Sequence, residues 1–463
     1  MPSATLPKLE LVFYGDDFTG STDALEVLTA AGLKCALFLT PPSPELLEAL
    51  GGFDAIGIAG DSRALSPAEM DEVLPGIFAA IKRLAPALVH YKVCSTFDSS
   101  PTVGSIGHVI ELASRAFGGK GIPIVAGNPA LGRYCVFGNL YALSKTDHTI
   151  HRIDRHPVMR AHPITPMREG DLSVHIGQQK NLSIAKVDIL QLEQPSDLSQ
   201  VVRDASLRHD AVLVDGTTDA HMTLAGKMLV QLSDSQAPLF VVGSSGVEYG
   251  LTQHWHSQGR HAHGPAQVTP LQPASQVLVV SGSASPSSSG QIDAAVASGF
   301  VEVAVDAAAL IAESQRGKMA QTLVATTVAH LEAGRSVLIH TAKGPNDPRI
   351  AQMIEGMTAK GLARDEAKIR GGKQLAVEMG HIVLDILKAY PLPRLVVSGG
   401  DTSSQITKIL DPDALVIQSN LSPGAPLCRV RSRKPYLADL EIALKGGQMG
   451  DQDYFVKALN GAP

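Results

Sequence analysis

Cysteines are few in this sequence: it has four among 463 residues, widely separated and with no C-x-x-C pair. Neither a disulfide scaffold nor a cysteine-bound zinc site is therefore indicated. Aromatic residues make up only 4% of the chain and offer no stacking surface for single-stranded nucleic acid. The net charge of -6 also lacks the excess of lysine and arginine that a phosphate backbone requires. We expect no nucleic-acid partner.

Long apolar stretches and familiar nucleotide-binding signatures are missing as well. No stretch reaches the roughly 20 apolar residues that cross a bilayer, and the N-terminus does not read as a signal peptide. We therefore expect a cytoplasmic protein without a membrane partner. The sequence has no G-x-x-x-x-G-K-[ST] loop, no protein-kinase signature and no G-x-G-x-x-G fingerprint. The last absence argues against a dehydrogenase.

Short apolar runs alternate with stretches of helical periodicity from residue 9 onward, which predicts βα units and an α/β fold with mostly parallel sheets. The rhythm breaks at 128–168, a His-, Arg- and Pro-rich segment that is too long for an ordinary connector and that we expect to be functional. It breaks again over 252–275, which shows no periodicity. We predict an N-terminal domain at 1–258, a linker at 259–275 and a C-terminal domain at 276–463, with the active site in the interdomain cleft.

The segment GDDFTGSTD, residues 15–23, follows the first predicted strand and opens a helix. Ligands bind at the carboxyl ends of strands in open α/β sheets. The adjacent carboxylates of Asp16 and Asp17 could accept hydrogen bonds from substrate hydroxyls, and one could orient or deprotonate the attacking oxygen. The alternative is that Asp17 or a neighbouring hydroxyl only caps the helix, and both roles can coexist.

A second polar segment, YKVCSTFDSS at 91–100, also stands at the end of a predicted strand. One cation and several hydroxyl and carboxylate groups suit a polyhydroxylated anion, with Lys92 facing its carboxylate. Arg63, at the end of the preceding strand, is a second cation that could bind a carboxylate through two parallel hydrogen bonds. Pro101 suits the first turn of a following helix.

Three glycine-rich turns lie in the C-terminal half, at 281–285, 398–403 and 445–450, and two of them directly follow predicted strands. Glycine lets backbone N–H groups approach phosphate oxygens, and the start of a helix adds a favourable dipole. Three such turns together favour nucleotide binding. A fourth turn, GSSG at 243–246, is either a helix start or part of a substrate site.

Taken together and in this order, GDDFTGSTD, KVCSTFDSS, GSSG, VSGSAS, VSGGDTS and ALKGGQMGDQDYF resemble the four-carbon acid sugar kinase family over nearly the whole chain. The resemblance implies an N-terminal domain that binds the acid and a C-terminal domain that binds ATP with Mg²⁺. It implies phosphorylation of the terminal hydroxyl of a small sugar acid. It assigns no residue to the metal and leaves a homodimer open.

Carried over by position, the resemblance assigns two sets of site residues. The catalytic group would be Asp17, preferred over Asp16. The acid-sugar pocket would be lined by Asp16, Asp17, Arg63, Lys92, Ser95 and Thr96. The nucleotide would be bound by Ser281, Ser283, Ser285, Gly399, Gly400, Asp401, Thr402 and Gly447.

The second motif is more similar to the 3-oxo-tetronate kinase branch than to the threonate and erythronate kinases. Residues 127–141, GNPALGRYCVFGNLY, depart from the pattern of that branch. A branched acid such as 3-oxo-isoapionate is therefore an alternative substrate, as is threonate or erythronate. The segment 150–162 would contribute to the choice. A sensor that binds sugar acids without catalysis is the non-enzymatic alternative, although it would not need three phosphate-binding turns.

Overall fold

The computed structural model describes residues 9–144, 147–162, 164–194, 197–233, 237–261 and 269–461. The chain divides into two compact units, Met1–Gln267 and Val268–Pro463. Residues 262–268, which carry part of the predicted linker, lie outside the described residues, so the linker stays a prediction. In the described parts of the chain, no helix is long and apolar enough to cross a membrane.

Unit 1 is built on a parallel sheet with the strand order β2-β3-β1-β4-β11-β5-β10-β9. Its central strands are short runs of apolar residues because helices cover both faces of such a sheet. The eight strands of this order are β1 (Leu11–Gly15), β2 (Cys35–Phe38), β3 (Ala55–Ala59), β4 (Leu88–Lys92), β5 (Ile122–Val125), β9 (Ile184–Val187), β10 (Ala211–Val214) and β11 (Leu239–Gly243).

The helices of unit 1 begin at residues that suit helix N-termini. Asp17 caps the first helix, and Ser66 with Glu69 forms the capping box that the sequence predicts, with Pro67 in the first turn. The helices are α1 (Phe18–Ala30), α2 (Pro44–Ala49), α3 (Pro67–Arg83), α4 (Ile106–Ala113), α5 (Leu172–Lys180), α6 (Ile189–Leu192), α7 (Leu198–Ser206), α8 (Asp219–Leu232) and α9 (Gly246–Ser257).

The irregular segment at 128–168 contains a small antiparallel sheet, β6-β7-β8. Residue 163 and residues 145–146 are outside the described part of the segment. The strands are β6 (Arg133–Val136), β7 (Asn139–Leu143) and β8 (Ile150–Arg152). The segment therefore has a fold of its own, which its mixed composition did not reveal.

Unit 2 has the strand order β13-β14-β12-β15-β18-β17-β16. The first five of these strands are parallel, and β17 is antiparallel to both β18 and β16. The strands are β12 (Leu278–Ser281), β13 (Val301–Ala304), β14 (Val337–His340), β15 (Arg394–Ser398), β16 (Ala414–Ser419), β17 (Leu427–Arg431) and β18 (Glu441–Lys445). The prediction of an α/β fold with mostly parallel sheets is confirmed.

The helices of unit 2 pack on this sheet. Leu271, at the start of the described part of the unit, lies in the hydrophobic core together with Tyr454 and Phe455 of the last helix. The helices are α10 (Pro286–Ala297), α11 (Ala307–Ile311), α12 (Arg316–Glu332), α13 (Pro348–Thr358), α14 (Arg364–Ala389), α15 (Gly400–Leu410) and α16 (Tyr454–Asn460).

Two local expectations are wrong. Pro101 does not lie in a helix, because the next helix begins only at Ile106, where the side chain of Ser105 accepts a hydrogen bond from the backbone N–H of His108. The segment from Thr252 was expected to have no regular structure, but α9 continues to Ser257 with Trp255 buried on its inner face.

Helices α8 and α9 approach each other closely at a pair of glycines. A Cβ placed on Gly226 would lie 2.0 Å from the backbone oxygen of Gly250, and a Cβ on Gly250 would lie 2.5 Å from the backbone oxygen of Met222. Backbone atoms cannot turn aside as a flexible side chain can. The contact therefore requires glycine on both helices, and it lets α9 pack closely against α8.

We expect Gly226→Ala to destabilise the protein by roughly 3 kcal/mol, because the added methyl group overlaps backbone atoms. Gly76→Ala is the matched control, since Gly76 also lies inside a helix but a Cβ there would meet no atom within 4 Å. The control should gain about 0.5–1 kcal/mol from better helix propensity. Chemical denaturation of both variants measures the difference, and equal stabilities would contradict the close contact.

Candidate functional site

The polar motifs of unit 1 follow neighbouring strands at one edge of the sheet. Gly15, the last residue of β1, lies beside Ala59 of β3 and Lys92 of β4, and Lys92 in turn lies beside Gly243 of β11. Because all four strands are parallel, the segments that follow them emerge at the same carboxyl edge. The sequence prediction that these motifs share an edge is confirmed.

Asp16 and Asp17 both pair with Arg63. The Arg63 guanidinium donates from Nη2 to Oδ1 of Asp16 at 2.7 Å and from Nε to Oδ2 at 3.2 Å, and its Nη1 lies 3.0 Å from Oδ2 of Asp17. The other carboxylate oxygen of Asp17 accepts a hydrogen bond from the backbone N–H of Gly20 at 2.8 Å. The capping role foreseen for Asp17 is thus confirmed.

The two carboxylates differ in their environment. The Asp16 side chain is 7% exposed and both its oxygens bind Arg63, whereas the Asp17 side chain is 32% exposed. Burial raises the pKa of Asp16, although the charge of Arg63 opposes the change. Burial alone would lower the pKa of Arg63. Attraction to Asp16 and Asp17 has the larger effect and raises this pKa. Asp17 is therefore the carboxylate that is open to a ligand.

Lys92 is buried beside the first turn of α1. Its Nζ lies 3.5 Å from Oδ2 of Asp23. Burial opposes its charge, but attraction to Asp23 and Asp17 outweighs it and raises the pKa of Lys92. A Cβ on Gly20 would lie 2.6 Å from Nζ of Lys92, so the glycine makes room for the ammonium group. Both cations that the sequence singled out are thus paired with carboxylates.

The segment after β4 carries the remaining predicted acid-pocket residues. Thr96 donates from Oγ1 to Asp98 at 2.5 Å, and Asp98 also accepts from Thr165 at 3.0 Å. The Ser95 side chain is half-buried and makes no hydrogen bond with the described residues. Phe97 is fully buried with φ 52°, a left-handed conformation that bulky residues rarely adopt. The packing around Phe97 fixes the course of this segment.

The three glycine turns of unit 2 also follow neighbouring strands, since Ser281 of β12 lies beside Ser398 of β15, which lies beside Lys445 of β18. The turns are in contact. A Cβ on Gly282 would lie 2.0 Å from Oγ1 of Thr402, and a Cβ on Gly447 would lie 2.2 Å from Oγ of Ser283. The structure therefore brings the predicted nucleotide-binding turns together.

Individual residues of these turns have different surroundings. Ser285 caps α10 and donates to the backbone oxygen of Gly447. Ser281 is buried, and its Oγ has no hydrogen-bond partner within the described ranges. Gly399 has φ 116°, which favours glycine, and precedes α15, where Gly400 and Asp401 are exposed in the first turn. Backbone N–H groups at the start of this helix are available to an anion.

A cavity of about 330 Å³ opens beside the first two turns. Gly282, Ala284 and Thr402 form one wall, and helices α13 and α14 supply most of the apolar remainder. The apolar residues that line this cavity were not predicted from the sequence, because apolar residues at helical spacing indicate only that one face of a helix is buried. The missed residues include Ile350, Met353, Leu375, Ala376 and Met379, with Lys368 at the polar side.

Lys445 is a fully buried cation at the end of β18. Its Nζ donates to the backbone oxygen of Gly446 at 3.2 Å and lies 5.7 Å from the ring centroids of both Tyr454 and Phe455. Loss of hydration lowers the pKa of Lys445 to about 8. The aromatic faces offset part of this cost. Lys445 belongs to the third turn but was not among the predicted contacts.

Comparison with known proteins matches a separate family model to each of the two compact units. A family model described as a sugar-binding N-terminal domain matches residues 11–251, and one described as a nucleotide-binding C-terminal domain matches residues 278–455. A 3-oxo-isoapionate kinase of Paraburkholderia graminis is 38% identical over 96% of this chain and 93% of that protein. A 3-oxo-tetronate kinase of Methylobacterium radiotolerans is 30% identical over 98% and 99%.

Two solved structures share the fold. A protein of Salmonella typhimurium LT2 has a TM-score of 0.74 at 22% identity, covering 97% of this chain and 98% of its own. A Haemophilus influenzae protein has a TM-score of 0.69 at 20% identity, covering 96% and 98%. The matched domain models and the full-length relatives together show that the chain belongs to the four-carbon acid sugar kinase family.

Proposed function

We propose that this protein transfers the γ-phosphoryl group of ATP to the terminal hydroxyl of a small sugar acid. The contact among the three glycine turns of unit 2 is the observation that carries the proposal, because Gly282, Gly399 and Gly447 keep backbone atoms of three strand ends close together. Amide groups and hydroxyls in such an arrangement suit phosphate oxygens. The adjoining cavity is apolar enough for a nucleobase.

Unit 1 would bind the acid along its carboxyl edge, where Asp16, Asp17, Arg63, Lys92, Ser95 and Thr96 line the pocket. Asp17 would accept the proton of the attacking hydroxyl. The hydroxyl oxygen then forms the new bond to phosphorus while the bond between the γ-phosphorus and the ADP oxygen breaks. Phosphoryl transfer needs little covalent help from the protein, so positioning and charge should supply most of the rate.

Mg²⁺ would enter with ATP. No group of three or more His, Cys, Asp and Glu side chains within the described ranges is arranged to hold a metal ion. Mg²⁺ usually keeps its waters and binds through substrate phosphates with one or two carboxylates, so such a cluster is not required. Asp401, exposed next to Gly400 in the turn at 398–403, is a carboxylate that could bind Mg²⁺ there. The metal would neutralise phosphate charge.

The branched acid is the substrate we favour. The relative named 3-oxo-isoapionate kinase is 38% identical to this chain, against 30% for the 3-oxo-tetronate kinase of Methylobacterium radiotolerans and 27% for one from Pseudomonas savastanoi. The departure at 127–141 lies in the segment that contains β6 and β7, which supports a difference in the acid rather than in the nucleotide.

ADP release by the purified protein tests the proposal directly. The panel contains ATP with 3-oxo-isoapionate, 3-oxo-tetronate, and both enantiomers of threonate and erythronate, and NMR of the product identifies the phosphorylated oxygen. We expect acid-dependent ADP release with the highest kcat/KM for 3-oxo-isoapionate. Binding of an acid by calorimetry without ADP release would instead support the sensor.

Asp17→Asn separates chemistry from folding, because asparagine is as good a helix cap as aspartate. We expect kcat to fall by roughly 10²–10⁴-fold, since the amide cannot accept the proton. Thermal unfolding of the variant checks that α1 is retained. An unchanged kcat for every accepted acid would remove Asp17 from the chemistry.

Gly400→Ala tests the nucleotide turn. A Cβ on Gly400 meets no protein atom within 4 Å, so the methyl group projects into the space we assign to phosphate. The KM for ATP should rise about tenfold, which corresponds to about 1.4 kcal/mol, without loss of stability. Gly356→Ala in α13 is the matched control, because its Cβ also meets no atom. Equal KM values for the two variants would contradict the assignment.

A further inference from the structure

The carboxyl edge of unit 1 has a shortage of positive charge for an anionic substrate. Arg63 is engaged by Asp16 and Asp17, and Lys92 by Asp23. Two cations therefore face three carboxylates. An incoming acid would add a fourth negative charge, which like-charge repulsion disfavours unless another cation meets it.

Arg133, at the start of β6, is a guanidinium without a carboxylate partner among the described residues. Its Nη1 donates only to backbone oxygens, those of Leu131 at 3.0 Å, Gly132 at 3.3 Å and Leu143 at 3.4 Å. Its Nε is buried and has no hydrogen-bond partner in the part of the chain that the structure describes. Burial of a charge is costly unless it is paired and hydrogen-bonded. Such a group is prepared for an anionic ligand.

The backbone places Arg133 at the same edge as the acid pocket. Arg133 and Asn128 exchange two backbone hydrogen bonds at 2.9 and 3.0 Å, and Asn128 follows the carboxyl end of β5. The Asn128 side chain donates from Nδ2 to Oγ of Ser245 at 3.0 Å, where the chain leaves β11 to begin α9. The Oδ1 atom of Asn128 is also buried, and no described residue donates a hydrogen bond to it.

The strand before Arg133 lies near the strand that carries the second motif. β5 pairs with β11, and β11 pairs with β4, all in parallel. The segments that carry Arg133 and Cys94 therefore leave the sheet at the same carboxyl edge. Arg133 also belongs to the 128–168 segment, which the sequence analysis marked as functional.

We propose that Arg133 binds the carboxylate of the sugar acid and so positions the far hydroxyl for phosphorylation. The inference rests on the proposed function and names the acid-recognising residue of that site. A guanidinium can bind a carboxylate through two parallel hydrogen bonds, and Nε of Arg133 is a donor that no group in the described part of the chain satisfies. The alternative is that Arg133 only braces the turn through its bonds to backbone oxygens.

The test compares Arg133→Met with Arg203→Met in the full-length protein. Arg203 lies on α7, outside the 128–168 segment, and donates from Nη2 to the backbone oxygen of Gln231 at 2.8 Å, so it serves as the matched control for a guanidinium that contacts only backbone. Each variant is assayed with the preferred acid of the panel, and with D-erythronate and its uncharged carboxamide, D-erythronamide.

We expect Arg133→Met to raise the KM for the acid by roughly 10–100-fold and to leave the KM for ATP within about twofold. Its preference for erythronate over erythronamide should fall by a similar factor. Arg203→Met should stay within about twofold of wild type in all three quantities. An unchanged KM for the acid would overturn the inference. An equal loss of kcat/KM with erythronate and erythronamide would do the same and would indicate that Arg133 only stabilises the turn.

Arg133→Lys covers the case in which the methionine variant does not fold. Lysine keeps the charge but not the paired donors, so we expect a rise in the KM for the acid with the preference for erythronate over erythronamide partly retained. A lysine variant identical to wild type would count against the carboxylate contact. If the wild-type protein binds acids but releases no ADP, the kinase proposal fails. The dissociation constants of the same variants for the acid then test the role of Arg133 independently of catalysis.

Discussion

The pairing of Arg63 with the adjacent carboxylates of Asp16 and Asp17 is the constraint on which unit 1 depends. Two carboxylates after a buried strand would repel each other and favour protonation. The guanidinium compensates both and ties the chain after β3 to the chain after β1. Because Asp17 also caps α1, the same ion pair fixes the start of that helix. Because both carboxylates already neutralise Arg63, this guanidinium cannot balance the charge of an anionic substrate as well. That is the reason for our proposal that a cation from another segment binds the substrate carboxylate.

Unit 2 uses the same edge of a parallel sheet with different chemistry. Its three turns present glycine, serine and threonine rather than paired charges, and their mutual contact leaves no room for side chains at Gly282 and Gly447. Hydroxyl and amide donors suit a ligand that brings its own charge and metal ion. The two units thus apply one topological rule, that parallel strands end together, to two different ligands.

The parallel strands of unit 1 were predictable because buried parallel strands are short apolar runs. The strands β6, β7 and β8 of the 128–168 segment were not predicted, and neither were β13, β17 and β18 of unit 2. Of these, β13 is partly exposed and β17 is an antiparallel strand with two arginines. The motifs and their shared edges were also predictable. The pairing of Asp16 with Arg63, 47 residues away, was not predictable, because a sequence shows which charges exist but not which ones meet. For the same reason it did not show that Arg133 has no carboxylate partner among the described residues.

Burial of the Lys445 ammonium beside two aromatic rings has a chemical consequence. With a pKa near 8, about a tenth of these side chains would be free amines at pH 7, and a free amine is the form that acylating reagents attack. Full burial prevents a reagent from reaching it in the closed structure. Covalent labelling of this lysine would therefore proceed only as fast as the third turn and α16 separate, so that the rate of labelling would report the local opening of unit 2.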